Sequence, residues 1–502
     1  QARRDPGRVA IADQRSGVRT YRDVITAVLA LRPFIEKLPG DHVGIMLPAS
    51  VGASIVYLTS LFAGKIPVMV NWTTGARNIL HTLDLTGTHT IITAGALLTR
   101  LEAAGIDLGP VRDRCLLLES LAPQITTAAK LRAAVGARLS WRTLERARVP
   151  ATAAVLTTSG SESLPKAVPL THANLLANLR AALDVFTIRH DDVLLGFLPP
   201  FHSFGLSVTL VLPLVGGLRA VYHPSPTEAR LLARLIETCG ATILISTPTF
   251  LSGIVRAAGT ANLDSLRLAV TGAEKCPPRV YDALARRCPR ATIVEGYGIT
   301  ECGPIVSANR AENPQPGTIG PALPTVEWVI VDPDTGAPLG PDQTGLLLVR
   351  GPSVFGGYLG DDAASPFVEH AGRLWYRTGD LVSADEHGVF TFRGRLKRFV
   401  KLGGEMISLP AIEAVLEPHF TTEQDEGPAL AVVATPDEHQ PEIVLVSTRD
   451  ADRASVNRLI RAAGLSALHN VSRIERRPAL PVLGTGKTDY RALVDDLRPP
   501  AT

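Results

Sequence analysis

The chain has 502 residues with a formal charge of +3, 45% hydrophobic and 20% charged residues. A single hydrophobic core rarely grows to serve that length, so two or more domains are expected. The small charge is spread along the chain rather than clustered on one face, which argues against nucleic acid as a partner.

Five cysteines, Cys115, Cys239, Cys276, Cys288 and Cys302, form no CxxC pair. An odd, scattered set points to reduced thiols in a cytoplasmic protein rather than to disulfides or structural zinc; peripheral membrane association is left open. Residue 1 is glutamine, so the natural start is expected upstream, and nothing reads as a signal peptide.

In chain order, HVGIML (42–47), PVMV (67–70), TIIT (90–93), ATILIS (241–246) and LRLAVTG (266–272) are apolar runs bounded by turn residues. Between them, Asn174–Val185 and Thr227–Cys239 carry apolar residues at three- and four-residue spacing. This alternation predicts α/β architecture with mostly parallel sheets covered on both sides. Gly52–Val70, broken by Lys65 and Pro67, and Phe204–Leu218, holding Pro213, are too short or interrupted for membrane spans, and no transmembrane segment is expected. Both read as buried core helices.

From about residue 317 the texture becomes short strands and Gly/Pro turns, as in VEWVIVDPDTGAPL, predicting a small antiparallel or barrel-like β unit. After GRLKR (394–398) a section of about a hundred residues has its own strand and helix patterns and reads as a small α+β domain. The expected domains are therefore 1–396 and 397–502. No internal repeat is evident, and the end from Pro499 reads as a frayed tail.

The strongest local signal is TTSGSESLPKAV (157–168), where a strand enters a loop of hydroxylated residues and glycine ahead of a helix near Thr171. Small residues let backbone N–H groups converge on a polyphosphate, and Lys166 adds fixed charge. The loop is not a Walker A sequence. Seven further strings follow in order: PPFHSFG (199–205), TGAEK (271–275), EGYGITE (295–301), GTIG (317–320), YRTGD (376–380), GRLKR (394–398) and LGTGK (483–487).

In that order and spacing, the set resembles the ANL superfamily of adenylate-forming enzymes, from near Thr20 to Lys487. The resemblance implies ATP and Mg2+ as cofactors. It implies that Thr158, Ser159, Gly160, Ser161 and Lys166 hold the β- and γ-phosphates. Gly272, Ala273 and Glu274, with Glu295, Gly296 and Tyr297, would sandwich the adenine. Thr300 would contact the α-phosphate, Glu301 would bind Mg2+, and Asp380 and Arg395 would hold the ribose. Lys487 is the implied catalytic lysine, reaching the substrate carboxylate and the α-phosphate, where a cation stabilises charge on five-coordinate phosphorus. His202 is placed beside the acyl site, to shape the carboxylate pocket.

Lys397 falls at the family's hinge, about which a mobile C-terminal domain swings, and Gly403 and Gly404 would line a pantetheine passage. Ser163 and Ala167 stand where the family commonly has glycine, a departure that bears on rate. Within the superfamily, IPVMVNWTTG (66–75), LPPFHSFGLSVTLVLPLVGG (198–217), TGAEKCPP (271–278), RFVKLGGEMISLPAIE (398–413) and PVLGTGKTDY (481–490) look like the synthetase half of bifunctional acyl-ACP synthetase/2-acylglycerophosphoethanolamine acyltransferases. The implied function is transfer of a fatty acid to the phosphopantetheine thiol of acyl carrier protein. A fatty acyl-CoA synthetase, or an aryl- or amino-acid adenylation enzyme, is the alternative. No histidine is followed by aspartate at H-x-x-x-x-D spacing, so an acyltransferase half is not expected. Arg449, Arg453, Arg458, Arg461, Arg473, Arg476 and Arg477 are a candidate docking face for an acidic carrier protein. Oligomeric state is not legible.

Overall fold

A computed structural model describes residues 1–158, 164–360, 365–402, 405–422, 425, 427–436, 441–483 and 487–497. Ser159, Gly160, Ser161, Gly403 and Gly404, named above as site residues, lie outside this set. Contacts divide the chain into two compact units, 1–327 with 350–369, and 328–349 with 370–502. Lys397 lies inside the second, on a short 3-10 turn, Leu396–Arg398.

The first unit is built on two sheets. Its strands are β1 (Val9–Asp13), β2 (Gly17–Thr20), β3 (His42–Met46), β4 (Ile66–Met69), β5 (Ile91–Thr93), β6 (Cys115–Leu117), β7 (Thr152–Thr158), β8 (Lys166–Thr171), β9 (Val193–Gly196), β10 (Arg219–Tyr222), β11 (Ile243–Ser246), β12 (Leu268–Thr271), β13 (Thr292–Gly298) and β14 (Ile305–Ala308). One sheet runs β14-β13-β12-β11-β9-β10-β1-β2 and the other β6-β5-β3-β4-β7-β8. Pairings are parallel except β1/β2, β13/β14 and β7/β8. Continuous apolar runs such as Ile243–Ser246 and Leu268–Thr271 are buried at every position, as sheets covered on both faces require. The α/β expectation holds.

The two apolar stretches read as core helices are each divided. Gly52–Val70 becomes the helix Val51–Phe62, a turn at Gly64, and β4; Gly64 takes a φ of 76°, which ends the helix. Phe204–Leu218 becomes a fully buried π-helix, Gly205–Val211, running into the helix Leu212–Gly216. Such wide turns are rare and tend to mark functional sites. Among the described residues no helix is long and apolar enough to cross a membrane.

The second unit contains strands Glu327–Val331, Gly345–Arg350, Arg373–Ala384 and Val389–Arg395, the last three joined antiparallel. It continues through a hairpin, Phe399–Leu402 with Glu405–Ser408, to a three-stranded sheet of Leu430–Ala434, Ile443–Ser447 and Arg473–Arg476. Alternation decides how that sheet is covered. Leu430, Val432, Ile443 and Leu445 pack with Ile412, Leu416, Val456 and Ile460 from the helices Leu409–Phe420 and Arg453–Ala462. Ala431, Val433, Val444 and Val446 pack with Leu480, Leu493 and Leu497. Period-two alternation with both faces buried gives the expected α+β unit.

Candidate active site

In the first unit strand β8 and the turn at residue 300 are held by one helix. Thr171 caps His172–Val185 in a reciprocal capping box with Asn174, which closes the helix directly onto β8. From its first turn Asn174 Nδ2 donates to the carbonyls of Pro352 and Val354, each at 2.9 Å. One turn on, Asn178 is fully buried and clamps the other loop: Nδ2 donates to Cys302 and Ile305 carbonyls, and Oδ1 accepts from Ile305 N. The 3-10 turn Thr300–Cys302 is thus fixed from beneath. Neither asparagine was legible as a site residue, because each looks like a polar position on an amphipathic helix.

On that turn, Thr300 Oγ1 lies 3.2 Å from Ser203 Oγ, and Glu301, 7% exposed, accepts from the Tyr358 hydroxyl at 2.7 Å. Lys166, exposed at the start of β8, sets its ammonium 4.6 Å from the centre of the Tyr358 ring. Three expected residues, Lys166, Thr300 and Glu301, therefore gather with two unexpected ones, Ser203 and Tyr358. Thr158 ends β7, paired with Lys166 across the β7/β8 ladder.

Gly272, Ala273 and Glu274 follow β12, and Glu295, Gly296 and Tyr297 end the adjacent strand β13. A Cβ on Gly272 would sit 3.2 Å from Gly296 O and 3.6 Å from the Phe204 ring, so the two strand ends approach through glycine. Ala273 holds a φ of 71°, a left-handed conformation that non-glycine residues rarely adopt and that concentrates at functional sites. Glu274 accepts from Thr249 Oγ1 at 2.6 Å.

Glu295 is buried and its side chain is fully engaged. It accepts from Cys276 N at 3.0 Å, Gly317 N at 2.9 Å and the Tyr281 hydroxyl at 2.5 Å. These bonds tie the 272–277 loop, β13 and the GTIG turn together and occupy both oxygens of the carboxylate. Burial and the Glu295 charge push the Cys276 thiol up to about 12, so it is not a nucleophile at neutral pH.

The wall after Pro199 is apolar. Phe201 meets Trp72 edge-on at 4.4 Å and the His202 ring at 4.8 Å, and every residue of the π-helix 205–211 is buried. A Cβ on Gly205 would collide with the Pro199 carbonyl, so only glycine lets the chain turn there.

In the second unit Asp380 and Arg395 are cross-strand partners, with Asp380 Oδ1 3.3 Å from Arg395 Nε. Asp380 is 1% exposed whereas the Arg395 side chain is 66% exposed. Exposed Lys397 precedes Arg398, whose guanidinium binds Glu413 at 2.9 Å and Val432 O at 3.0 Å. Lys487 is half-buried on a loop closed by Leu483 N to Lys487 O at 2.7 Å and Asp489 N to Pro481 O at 2.8 Å. Asp489 then caps Tyr490–Asp496.

The proposed docking arginines are less available than their number suggests. Arg449 pairs with Asp425, Arg473 with Glu442 and Glu475, Arg476 with Asp450, and Arg477 with Glu475 and Asp496. Arg453, Arg458 and Arg461 share the helix Arg453–Ala462 and bond only neutral groups there among the described residues.

Residues 1–359 match the model of the family described as AMP-binding enzyme. Over 465 residues, 87% of this chain and 80% of the relative, the sequence is 27% identical to 4-coumarate–CoA ligase 1 of Arabidopsis thaliana. It is 25% identical to a long-chain-fatty-acid–CoA ligase of Bacillus subtilis, over 95% of this chain and 90% of that one. The ATP-bound MatB of Rhodopseudomonas palustris superposes with a TM-score of 0.79 at 23% identity, covering 98% of this chain and 97% of the other. The o-succinylbenzoate coenzyme A synthetase of Bacillus subtilis, solved with ATP and magnesium ion, gives 0.79 at 20% identity over 99% and 98%. The chain belongs to the AMP-binding enzymes of the ANL superfamily, which use ATP with Mg2+, and is an AMP-forming acid–thiol ligase.

Proposed function

We propose that this ligase activates a hydrophobic carboxylic acid, fatty or aryl, as its adenylate and passes the acyl group to coenzyme A. The observation that carries the choice of acid is the wall of half-buried Trp72, buried Phe201 and the buried, mostly apolar π-helix 205–211, which begins beside His202 and Ser203. An alkyl or aryl group is stabilised by leaving water for such a surface. An ionic side chain on the acid would have no charged partner within that wall.

Coenzyme A replaces acyl carrier protein as the preferred acceptor for two reasons. The relatives named above are CoA ligases, and most of the arginines offered for carrier docking are already matched by carboxylates. The carrier-protein subgroup resemblance has no independent support.

The residues present fit ATP and Mg2+. Glu301 supplies one hard carboxylate oxygen, which suits an ion that completes its shell with phosphate and water. Thr300 and Ser203 present paired hydroxyls and Lys166 an exposed cation. The close approach of Gly272 to the Gly296 carbonyl and the Phe204 ring brings together the two strand ends proposed to sandwich the adenine. ATP supplies the electrophilic phosphorus and its pyrophosphate leaving group. In this scheme His202 shapes the carboxylate pocket, Lys487 stabilises the charge developing on phosphorus, and Asp380 accepts from ribose hydroxyls beside Arg395. Residues 397–502 would move as a body about Lys397, presenting Lys487 for adenylation and the segment around Gly403 and Gly404 for thioester formation.

The test is ATP–pyrophosphate exchange across fatty, aryl and amino acids, followed by thioester formation with coenzyme A and with holo-carrier protein. Exchange confined to amino acids would overturn the choice of acid. Thioester formed only on carrier protein would overturn the choice of acceptor.

A further inference from the structure

Lys166 and Glu301 carry opposite charges, contact the same tyrosine, one at its ring and the other at its hydroxyl, and form no ion pair with any described residue. Left to themselves in a partly dry site, a lysine and a carboxylate so placed would attract strongly. Paired, they would neutralise each other and be withdrawn from phosphate and metal alike.

Tyr358 stands between them. Its hydroxyl donates to Glu301 Oε1 and its ring receives the Lys166 ammonium. The residue is itself located from both sides. Leu359 N donates to Ala167 O at 3.0 Å, one residue from Lys166, and Phe355 N donates to Glu301 O at 2.8 Å. The Phe355 ring then packs edge-on to Tyr358 at 4.9 Å, and Asn174 holds the carbonyls of Pro352 and Val354.

We propose that Tyr358 is a positioning residue which keeps the phosphate-side lysine and the metal-side carboxylate apart and pre-aimed. The hydroxyl occupies Oε1 and fixes the carboxylate rotamer, so that Oε2 is presented to the cation. The ring holds the ammonium by its quadrupole, an attraction weak enough to be exchanged for phosphate oxygens when nucleotide arrives. This inference rests on the roles proposed above for Lys166 and Glu301.

The test is calorimetric titration of ATP into the full chain at graded Mg2+ and in its absence, with the melting temperature of each variant recorded. Tyr358→Phe keeps the ring and loses the hydroxyl. It is expected to raise the Mg2+ concentration at half-effect roughly tenfold, the scale of one charge-assisted hydrogen bond, with Mg2+-free ATP binding unchanged. Tyr358→Leu loses both contacts and is expected to weaken Mg2+-free binding as well. An unchanged Mg2+ dependence in Tyr358→Phe overturns the proposal. So does an equal loss of every parameter in both variants together with a lowered melting temperature, which would mark a merely structural residue. Glu301→Ala separates the two levels. If it abolishes the Mg2+ effect while Tyr358→Phe does nothing, this inference alone fails. If Glu301→Ala keeps the wild-type Mg2+ dependence, the assignment of that carboxylate falls and this proposal with it.

Discussion

The guanidinium of Arg398 lies over the ring of Tyr490, 3.6 Å from its centre, and both residues bind the carboxylate of Glu413. Arg398 directly follows Lys397, and Tyr490 lies three residues after Lys487. One half-buried node therefore ties the backbone beside the proposed pivot to the loop that carries the proposed catalytic lysine.

Breaking that node should cost both stability and the first half-reaction. Glu413→Gln leaves the largely covered Arg398 without its counter-charge; removal of one partner of a fully buried pair costs about 3–5 kcal/mol, and the loss here is smaller because both side chains keep some exposure. Tyr490→Phe keeps the ring over Arg398 but removes the hydroxyl that bonds Glu413 and interacts with Arg398, and should cost about 1 kcal/mol. Chemical denaturation would order the two variants in that sequence. Pyrophosphate exchange should fall in Glu413→Gln more than thioester formation from supplied acyl-adenylate, because the proposed role of Lys487 is confined to adenylation.

Lys487→Ala is the direct test of the mechanism. A preorganised cation at developing charge is worth roughly 10²–10³ in rate. Exchange should drop by that factor, while thioester formation from synthetic acyl-adenylate should stay near wild type. An equal fall in both would place Lys487 in general binding rather than in the adenylation step.

How far the sequence discloses this site depends on what kind of contact each residue makes. Lys166 is legible because its charge sits in a hydroxylated, glycine-containing loop that follows a strand, whereas Thr300 and Glu301 are marked by the resemblance of EGYGITE to a family string. Tyr358 is not, because FGGYLG carries no pattern of its own and the tyrosine acts through partners 57 and 192 residues away in the chain. Glu295 was legible as a strand-end residue, but its three donors come from Cys276, Tyr281 and Gly317, so its bracing role exists only in three dimensions. The π-helix at 205–211 is hidden for a different reason: a run that is buried on all sides has no polar face from which a period could be read. Gly64 shows the same limit, since the apolar pattern continues across the turn at which helix gives way to strand.

Gly205→Ala probes the acyl wall without adding a functional group. The new methyl would run into the Pro199 carbonyl, so the 199–205 turn must move. Overpacking of this kind costs about 1–3 kcal/mol. The displacement reaches Phe201 and His202 directly, and should raise KM for the acid by more than it raises KM for ATP. Gly216→Ala, on the following helix with no atom nearer than 3.8 Å to the added carbon, should leave both constants unchanged.

The last prediction concerns acid. Asp192 is 1% exposed, and burial alone would push its carboxyl up. The opposing contacts win: Arg267 Nε binds Oδ1 at 2.8 Å, Arg189 N binds Oδ2 at 2.6 Å, and Thr242 Oγ1 binds Oδ1 at 2.7 Å. Together they hold the folded-state value below the ordinary carboxylate value. A carboxyl depressed on folding stabilises the native state fully above its unfolded-state value, and that contribution disappears as the pH falls through the folded-state value. Melting temperature should therefore decline below about pH 4 partly through this residue. Asp192→Asn removes the charge opposite Arg267 and should lower stability by about 3 kcal/mol at neutral pH. The decisive measurement is the difference between wild type and variant as a function of pH. It should be largest near neutrality and shrink as the medium is acidified, because protonated Asp192 resembles the asparagine. A difference that stays constant down to pH 3 would mean that the charge on Asp192 contributes nothing and that its packing alone matters.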